Sequence, residues 1–194
     1  MNFLKKSLGK ILLFLVYKRE EYINYYLQDK YYKGAKKIGK CVKFNGVSVI
    51  GSIENVEIGD NVHLGDNAYI SAQGGLSIGD NTHISRNLLL YTNSHNYQGK
   101  YLPYDNTFLE KKVIIEKNVW IGMNVVILPG THIKEGAIIG AGAVVSGCVD
   151  AGAIYGAALG EVIRQRDQKH YSKLEKEHKY GAINGEQFSR QCNE

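Results

Sequence analysis

The chain has 194 residues, 44% of them hydrophobic, with 22 glycines, only two prolines (Pro103 and Pro129) and a formal net charge of +5. That length and composition suit one turn-rich, ordered domain with short appendages. The basic residues sit mainly at the two ends, with no stripe of Lys and Arg interleaved with aromatics, so nucleic acid is excluded as a partner. A polyanionic ligand or an anionic surface near the ends is not excluded. Cys41, Cys148 and Cys192 are far apart and odd in number, which gives neither a metal spacing nor a disulfide framework. A reduced, cytoplasmic setting is expected, with Cys41 and Cys148 as small apolar residues and Cys192 as an exposed tail thiol.

Residues 1–37 read as an N-terminal helical arm. Phe3, Leu4, Leu8, Ile11, Leu12 and Leu15 share one helical face, with Lys5, Lys6 and Lys10 away from its centre. The apolar run Ile11 to Tyr17 is too short to span a bilayer, and no small-residue cleavage site follows it. A second candidate helix carries Tyr22, Ile23, Tyr25, Tyr26 and Leu27, then Tyr31 and Tyr32. Two outcomes stay open: a helical pair packed on the body or on a neighbouring subunit, or peripheral membrane contact through residues 1–17 at the inner face of the membrane.

From Ile38 to residue 156 the period changes to six. Aliphatics recur at Ile115, Ile121, Ile127, Ile133, Ile139 and Val145, and Val, Thr or Ala stands four positions after each. The same beat runs earlier, at Ile38, Phe44 and Ile50, at Ile58, Leu64 and Ile70, and at Ile78, Ile84 and Leu90, with two extra residues between the triplets. A hexapeptide that is one short strand plus a corner explains the period, and three of them close a triangular coil stacked at about 4.8 Å on the next. The expected fold is therefore mainly β, a parallel β-helix whose inward aliphatics stack from coil to coil. The repeated corners Gly59-Asp60-Asn61 and Gly79-Asp80-Asn81 supply residues that tolerate positive φ.

The period is lost between Leu90 and Ile115, an interval of 25 residues. Residues 96–112 are expected as a loop thrown out just after His95, and an insertion in a regular solenoid is where binding and chemistry concentrate. An imidazole at the mouth of such a loop can serve as a base near neutral pH. Asn93, Tyr97 or a backbone carbonyl could hold the second ring nitrogen of His95.

Asn118-Val-Trp-Ile-Gly122, Val125-Val-Ile-Leu-Pro-Gly130 and Ile139-Gly-Ala-Gly-Ala-Val-Val145 together resemble the hexapeptide-repeat acyltransferases, in particular their sugar and polysaccharide O-acetyltransferase branch. The resemblance covers roughly residues 38–165. It implies a left-handed parallel β-helix, against the usual right-handed crossover, and a homotrimer with active sites between subunits. It further implies His95 as catalytic base, acetyl-CoA as co-substrate, and coenzyme contacts from Trp120, Gly122, Ala141, Ser146 and Arg164. Asn67, Asn93 and Tyr97 are the expected contacts to a sugar or glycan acceptor. The family's usual proline-containing end to the helix is replaced here by Gly156-Ala-Ala-Leu-Gly-Glu161.

His63 and His83, 20 residues apart, should lie one coil apart on one face, but the His spacing does not match three-histidine zinc β-helices and no metal is expected. Residues 157–194 read as a polar C-terminal helix and tail. The reading is an acetyl-CoA-dependent sugar O-acetyltransferase. Its rivals are acylation of an amino sugar or a small amino acid such as serine, and a non-catalytic β-helix scaffold.

Overall fold

Every aliphatic row read from the period of six lines the inside of a triangular parallel solenoid. The computed structural model describes residues 2–99 and 103–156, with Lys169, Ser172, Lys173 and Lys176. Residues 1–158 form one compact unit; residues 159–194 form a second, in which the four described residues are helical.

Three parallel sheets make the walls. The first face stacks strands 37–38, 56–58, 76–78, 113–115, 132–133 and 148–149. The second stacks 43–44, 63–64, 83–84, 120–121, 138–139 and 154–155, and the third stacks 49–51, 69–71, 89–91, 126–127 and 144–145. Ile58, Leu64, Ile70, Ile78, Ile84, Leu90, Ile115, Ile121, Ile127, Ile133, Ile139 and Val145 are all buried. So is the second row, four positions on: Val119, Val125, Thr131, Ala137, Ala143 and Val149. Strands of two or three residues hold together because each inward side chain packs on its equivalents above and below, a burial no single coil could make.

The corners show how asparagine and glycine divide the work. Asn61, Asn81 and Asn118 take φ of 54°, 56° and 60°, and their side chains hydrogen-bond upward in a ladder, Asn61 to Asn81 at 3.0 Å and Asn81 to Asn118 at 3.2 Å. A second ladder runs through Asn67, Asn87 and Asn124 at the next corner. Asparagine tolerates the left-handed region and supplies both donor and acceptor. Gly59 and Gly79 are needed for a different reason: a Cβ on either would strike the adjoining coil, at Asp80 and at the backbone of Lys117.

The arm is one helix, α1 (Asn2–Gly34), rather than the two expected. No glycine or proline interrupts residues 10–33, and Lys18 bridges Glu21 at 2.7 Å across the supposed joint. Its C-terminal part caps the open end of the first coil. Tyr31 is buried against Phe44 and donates to the Ser48 carbonyl at 2.7 Å, and Tyr32 donates to the Val42 carbonyl at 2.7 Å. Cys41 and Cys148 are exposed, not packed as expected: Cys41 occupies a positive-φ corner (58°) and Cys148 points outward beside His132. Cys192 lies outside the described residues.

Candidate active site

The extruded segment opens at Asn93, three residues before the expected loop. Asn93–His95 and Phe108–Glu110 form an antiparallel hairpin, with His95 opposite Phe108. Its base is fastened by Thr92, which is fully buried: its hydroxyl donates to the Ser71 carbonyl at 2.9 Å and accepts from Gly74 N–H at 2.7 Å, and its carbonyl accepts from Lys111 N–H at 2.8 Å. Asn93 is pinned to the preceding coil, accepting from the Ser71 hydroxyl at 2.9 Å and donating to Gln73 at 3.0 Å. It is thus occupied elsewhere and does not orient His95.

His95 is held by rings instead. Tyr104 stacks on the imidazole with centroids 3.9 Å apart and planes 16° apart, and Phe108 packs at 4.7 Å. Among the described residues no hydrogen bond reaches either ring nitrogen. The cleft in front of the ring has a volume of about 520 Å³ and is lined by His95, Tyr104, Asp105, Asn106 and Phe108. Polar turns brace it. Asn96 N–H donates to the Thr107 carbonyl at 3.0 Å, and the Thr107 N–H donates to Asp105 at 2.9 Å. Tyr97 is on the same hairpin and 70% exposed. Tyr104, Phe108 and Asp105 were not singled out by sequence reasoning; the turn-prone run Asp105-Asn106-Thr107 is the one local signal that this segment is ordered.

The other expected site residues lie at a different corner of the same chain. Trp120 is an exposed residue of the second face, in register between His83 and Ile138. Gly122 and Ala141 follow at the corner between the second and third faces, where Asn67 also sits in its ladder. Gly122 has a packing reason of its own, since a Cβ there would come within 2.7 Å of Ala141 N. Ser146 is exposed at the corner between the third and first faces, the same corner line from which the hairpin leaves. Arg164 lies outside the described residues. One chain therefore brings Asn93, His95 and Tyr97 together and holds Asn67, Trp120, Gly122 and Ala141 apart from them. A larger cleft of about 600 Å³ between α1 and the Asn67 corner, lined by Tyr17, Glu20, Asn24, Asp66, Asn67 and Arg86 among others, offers no histidine.

The remaining histidines do different work. His63 and His83 stack on the second face with centroids 4.2 Å apart. Desolvation first, then the neighbouring charges of His83 and Lys43, hold His63 below the ordinary imidazole value. His132 is on the first face, bonded to Glu116 at 2.7 Å. The Glu116 carboxyl lies below its ordinary value because it accepts from Glu135 N–H and from His132. Among the described residues no group of three or more His, Cys, Asp or Glu side chains could hold a metal ion.

Two family models match the chain: the bacterial transferase hexapeptide of six repeats over residues 112–147, and the hexapeptide repeat of succinyl-transferase over residues 55–92. Hexapeptide-repeat transferase models thus match two stretches of the solenoid, one on each side of the hairpin. Among curated protein sequences none matches it. Solved structures that share the fold include the hexapeptide-repeat-containing acetyltransferase VCA0836 from Vibrio cholerae, 23% identical with a TM-score of 0.60 over 71% of this chain and 78% of that one. The same protein complexed with acetyl coenzyme A gives 24% identity and a TM-score of 0.58, over 71% and 75%. AntD, an N-acyltransferase from Bacillus cereus in complex with dTDP and coenzyme A, gives 21% identity and a TM-score of 0.56, over 78% of this chain and 95% of that one. The solenoid shares the left-handed parallel β-helix fold, as the sequence resemblance implied.

Proposed function

We propose that the protein transfers an acetyl group from acetyl-CoA to a hydroxyl of a sugar, in a surface polysaccharide or glycan precursor, with His95 as general base. The observation that carries this reading is the imidazole on the extruded hairpin, stacked by Tyr104 and Phe108 and, among the described residues, without a hydrogen bond at either nitrogen, beside a cleft. The neutral imidazole takes the hydroxyl proton as the oxygen attacks the thioester carbonyl. The tetrahedral intermediate collapses, the C–S bond breaks, and the proton passes to the departing thiolate, giving the acetyl ester and coenzyme A. No covalent acyl-enzyme is needed. Tyr97 and Asn93 stand on the acceptor side, while Trp120, Gly122, Ala141, Ser146 and Arg164 are proposed to contact the coenzyme.

A homotrimer with active sites between subunits is part of the same proposal. His95 and Trp120 sit at separate corners of one chain, so a site that uses both draws them from two subunits. The outer surface of the third face supports that association: Val49, Tyr69, Leu89, Val126 and Val144 stand in one register row, with Val49, Tyr69 and Val144 about half exposed. An unbroken apolar stripe of this kind is an interface signature. Asn67 belongs to the cleft beside α1 and is proposed as an acceptor contact there.

A second reading, N-acylation of an amino sugar, is favoured by one observation: AntD, similar in fold, is described in complex with dTDP-4-amino-4,6-dideoxyglucose and coenzyme A. Thiol release measured over a panel of sugar hydroxyls, amino sugars and serine separates the readings. Replacing His95 with Ala is expected to cost about 10²–10⁴-fold in turnover while coenzyme A still binds by calorimetry. Turnover near the parent level sinks His95 as the base.

A further inference from the structure

The first 19 residues hold five cations (Lys5, Lys6, Lys10, Lys18 and Arg19) and no carboxylate; Glu20 is the first acid. They flank the apolar run Ile11 to Tyr17 on both sides. In α1 this run is not buried. Leu12, Leu13, Phe14 and Leu15, four successive residues and so roughly one full turn, are each between 54% and 58% exposed. The anchorage of α1 lies far down the helix, at Leu27, Gln28, Tyr31 and Tyr32. Tyr17 ends the run and Tyr22, Tyr25 and Tyr26 follow it, each between 63% and 77% exposed.

What covers such a helix is constrained by which sides are bare. Here the apolar side chains point in every direction around the axis, which suits a fluid apolar phase. The flanking cations and the tyrosines suit what lies above that phase, anionic headgroups and the headgroup–acyl boundary. No described helix is long and apolar enough to cross a membrane. The apolar run is about 10 Å long at 1.5 Å per residue, on the scale of interfacial burial rather than of a span.

We infer that the exposed part of α1 docks the protein on an anionic membrane surface, with Ile11 to Tyr17 at the headgroup–acyl boundary and Lys5, Lys6, Lys10, Lys18 and Arg19 on the headgroups. This holds the solenoid beside the bilayer through the cap formed by Tyr31 and Tyr32. It stands independently of the acyl-transfer reading, because its test reads binding and not turnover.

The full chain is mixed with vesicles of phosphatidylglycerol, or with vesicles of phosphatidylcholine, and floated on a density gradient, while light scattering follows its mass in solution. Docking predicts flotation with phosphatidylglycerol, little with phosphatidylcholine, and release as salt is raised. Neutralising Lys5, Lys6 or Lys10 to Gln weakens partition about fivefold each. The pair Leu13→Ser and Phe14→Ser abolishes flotation and leaves mass and melting unchanged, since both side chains are exposed. Failure to float with phosphatidylglycerol at low salt overturns the inference, as does equal flotation with both lipids. A Leu13→Ser and Phe14→Ser variant that still floats but loses its assembled mass assigns the helix to a subunit interface instead.

Discussion

Two successive coils build the corner between the third and first faces in contrasting ways. One coil closes it with Pro129-Gly130 between Leu128 and Thr131, and Gly130 uses φ of 81° to do so. The coil before it replaces that pair with residues 92–112 and throws out the hairpin that carries His95. The closed corner sends its backbone groups into the stack, as in Gly130 N–H to the Lys111 carbonyl. The open corner must satisfy its own, through the strand pair 93–95 and 108–110 and the side-chain turns of Asn96, Asp105 and Thr107. Stability is thus lodged in the coils, and His95, the proposed base, stands on an element whose side chains are mostly exposed.

That contrast can be broken in either half, and the largest effect is expected at the hairpin. The His95→Ala change costs about 10²–10⁴ in turnover, yet leaves the thermal midpoint within error because the ring is exposed; thiol-release kinetics and a melt on the same sample read both. The next effect is the mirror image. Ile121→Ala, in a fully buried row, is expected to cost about 2–5 kcal/mol of stability, whereas Leu109→Ala on the hairpin costs under about 0.5 kcal/mol, both by denaturant unfolding.

A corner change comes third. Asn87 sits at φ of 61° in a ladder between Asn67 and Asn124. Asn87→Val loses the ladder bonds and meets the left-handed penalty, about 1–2 kcal/mol, and Asn87→Gly loses less. The smallest effect is in pH. The folded state holds His63 below its unfolded value, so the unfolded chain binds the extra proton first and stability falls as pH drops below the ordinary imidazole range. His63→Gln removes that part of the slope, by melts across pH, and NMR titration should put the His63 midpoint below that of a free histidine.

The coils were legible in the sequence because their signal repeats. Each inward position from Ile58 to Val145 is confirmed by its equivalents one coil away, so an error at one place is corrected by the next. The hairpin has no such redundancy. Its break was readable from the 25 residues between Leu90 and Ile115, but its opening at Asn93 depends on Thr92 and Lys111 closing a bond across the gap. The stack of Tyr104 on His95 joins residues nine apart in an aperiodic stretch. Helix α1 hides its continuity for a related reason: the apolar face reads to Leu15, the aromatic set starts at Tyr22, and the polar residues between, Lys18 to Glu21, suggest a boundary where there is none. At Cys41 and Cys148 residue type is a poorer guide than position, since the period of six already assigns both to outward or corner sites.

The most direct test is to close the open corner. Replacing residues 92–112 with the Pro-Gly pair of the coil above restores the six-residue step from Leu90 to Ile115. The account predicts a protein that still melts cooperatively, with the circular dichroism of the parent, and that releases no thiol from acetyl-CoA above the uncatalysed rate with any acceptor the parent uses. Persistent transfer by the closed-corner protein would contradict it.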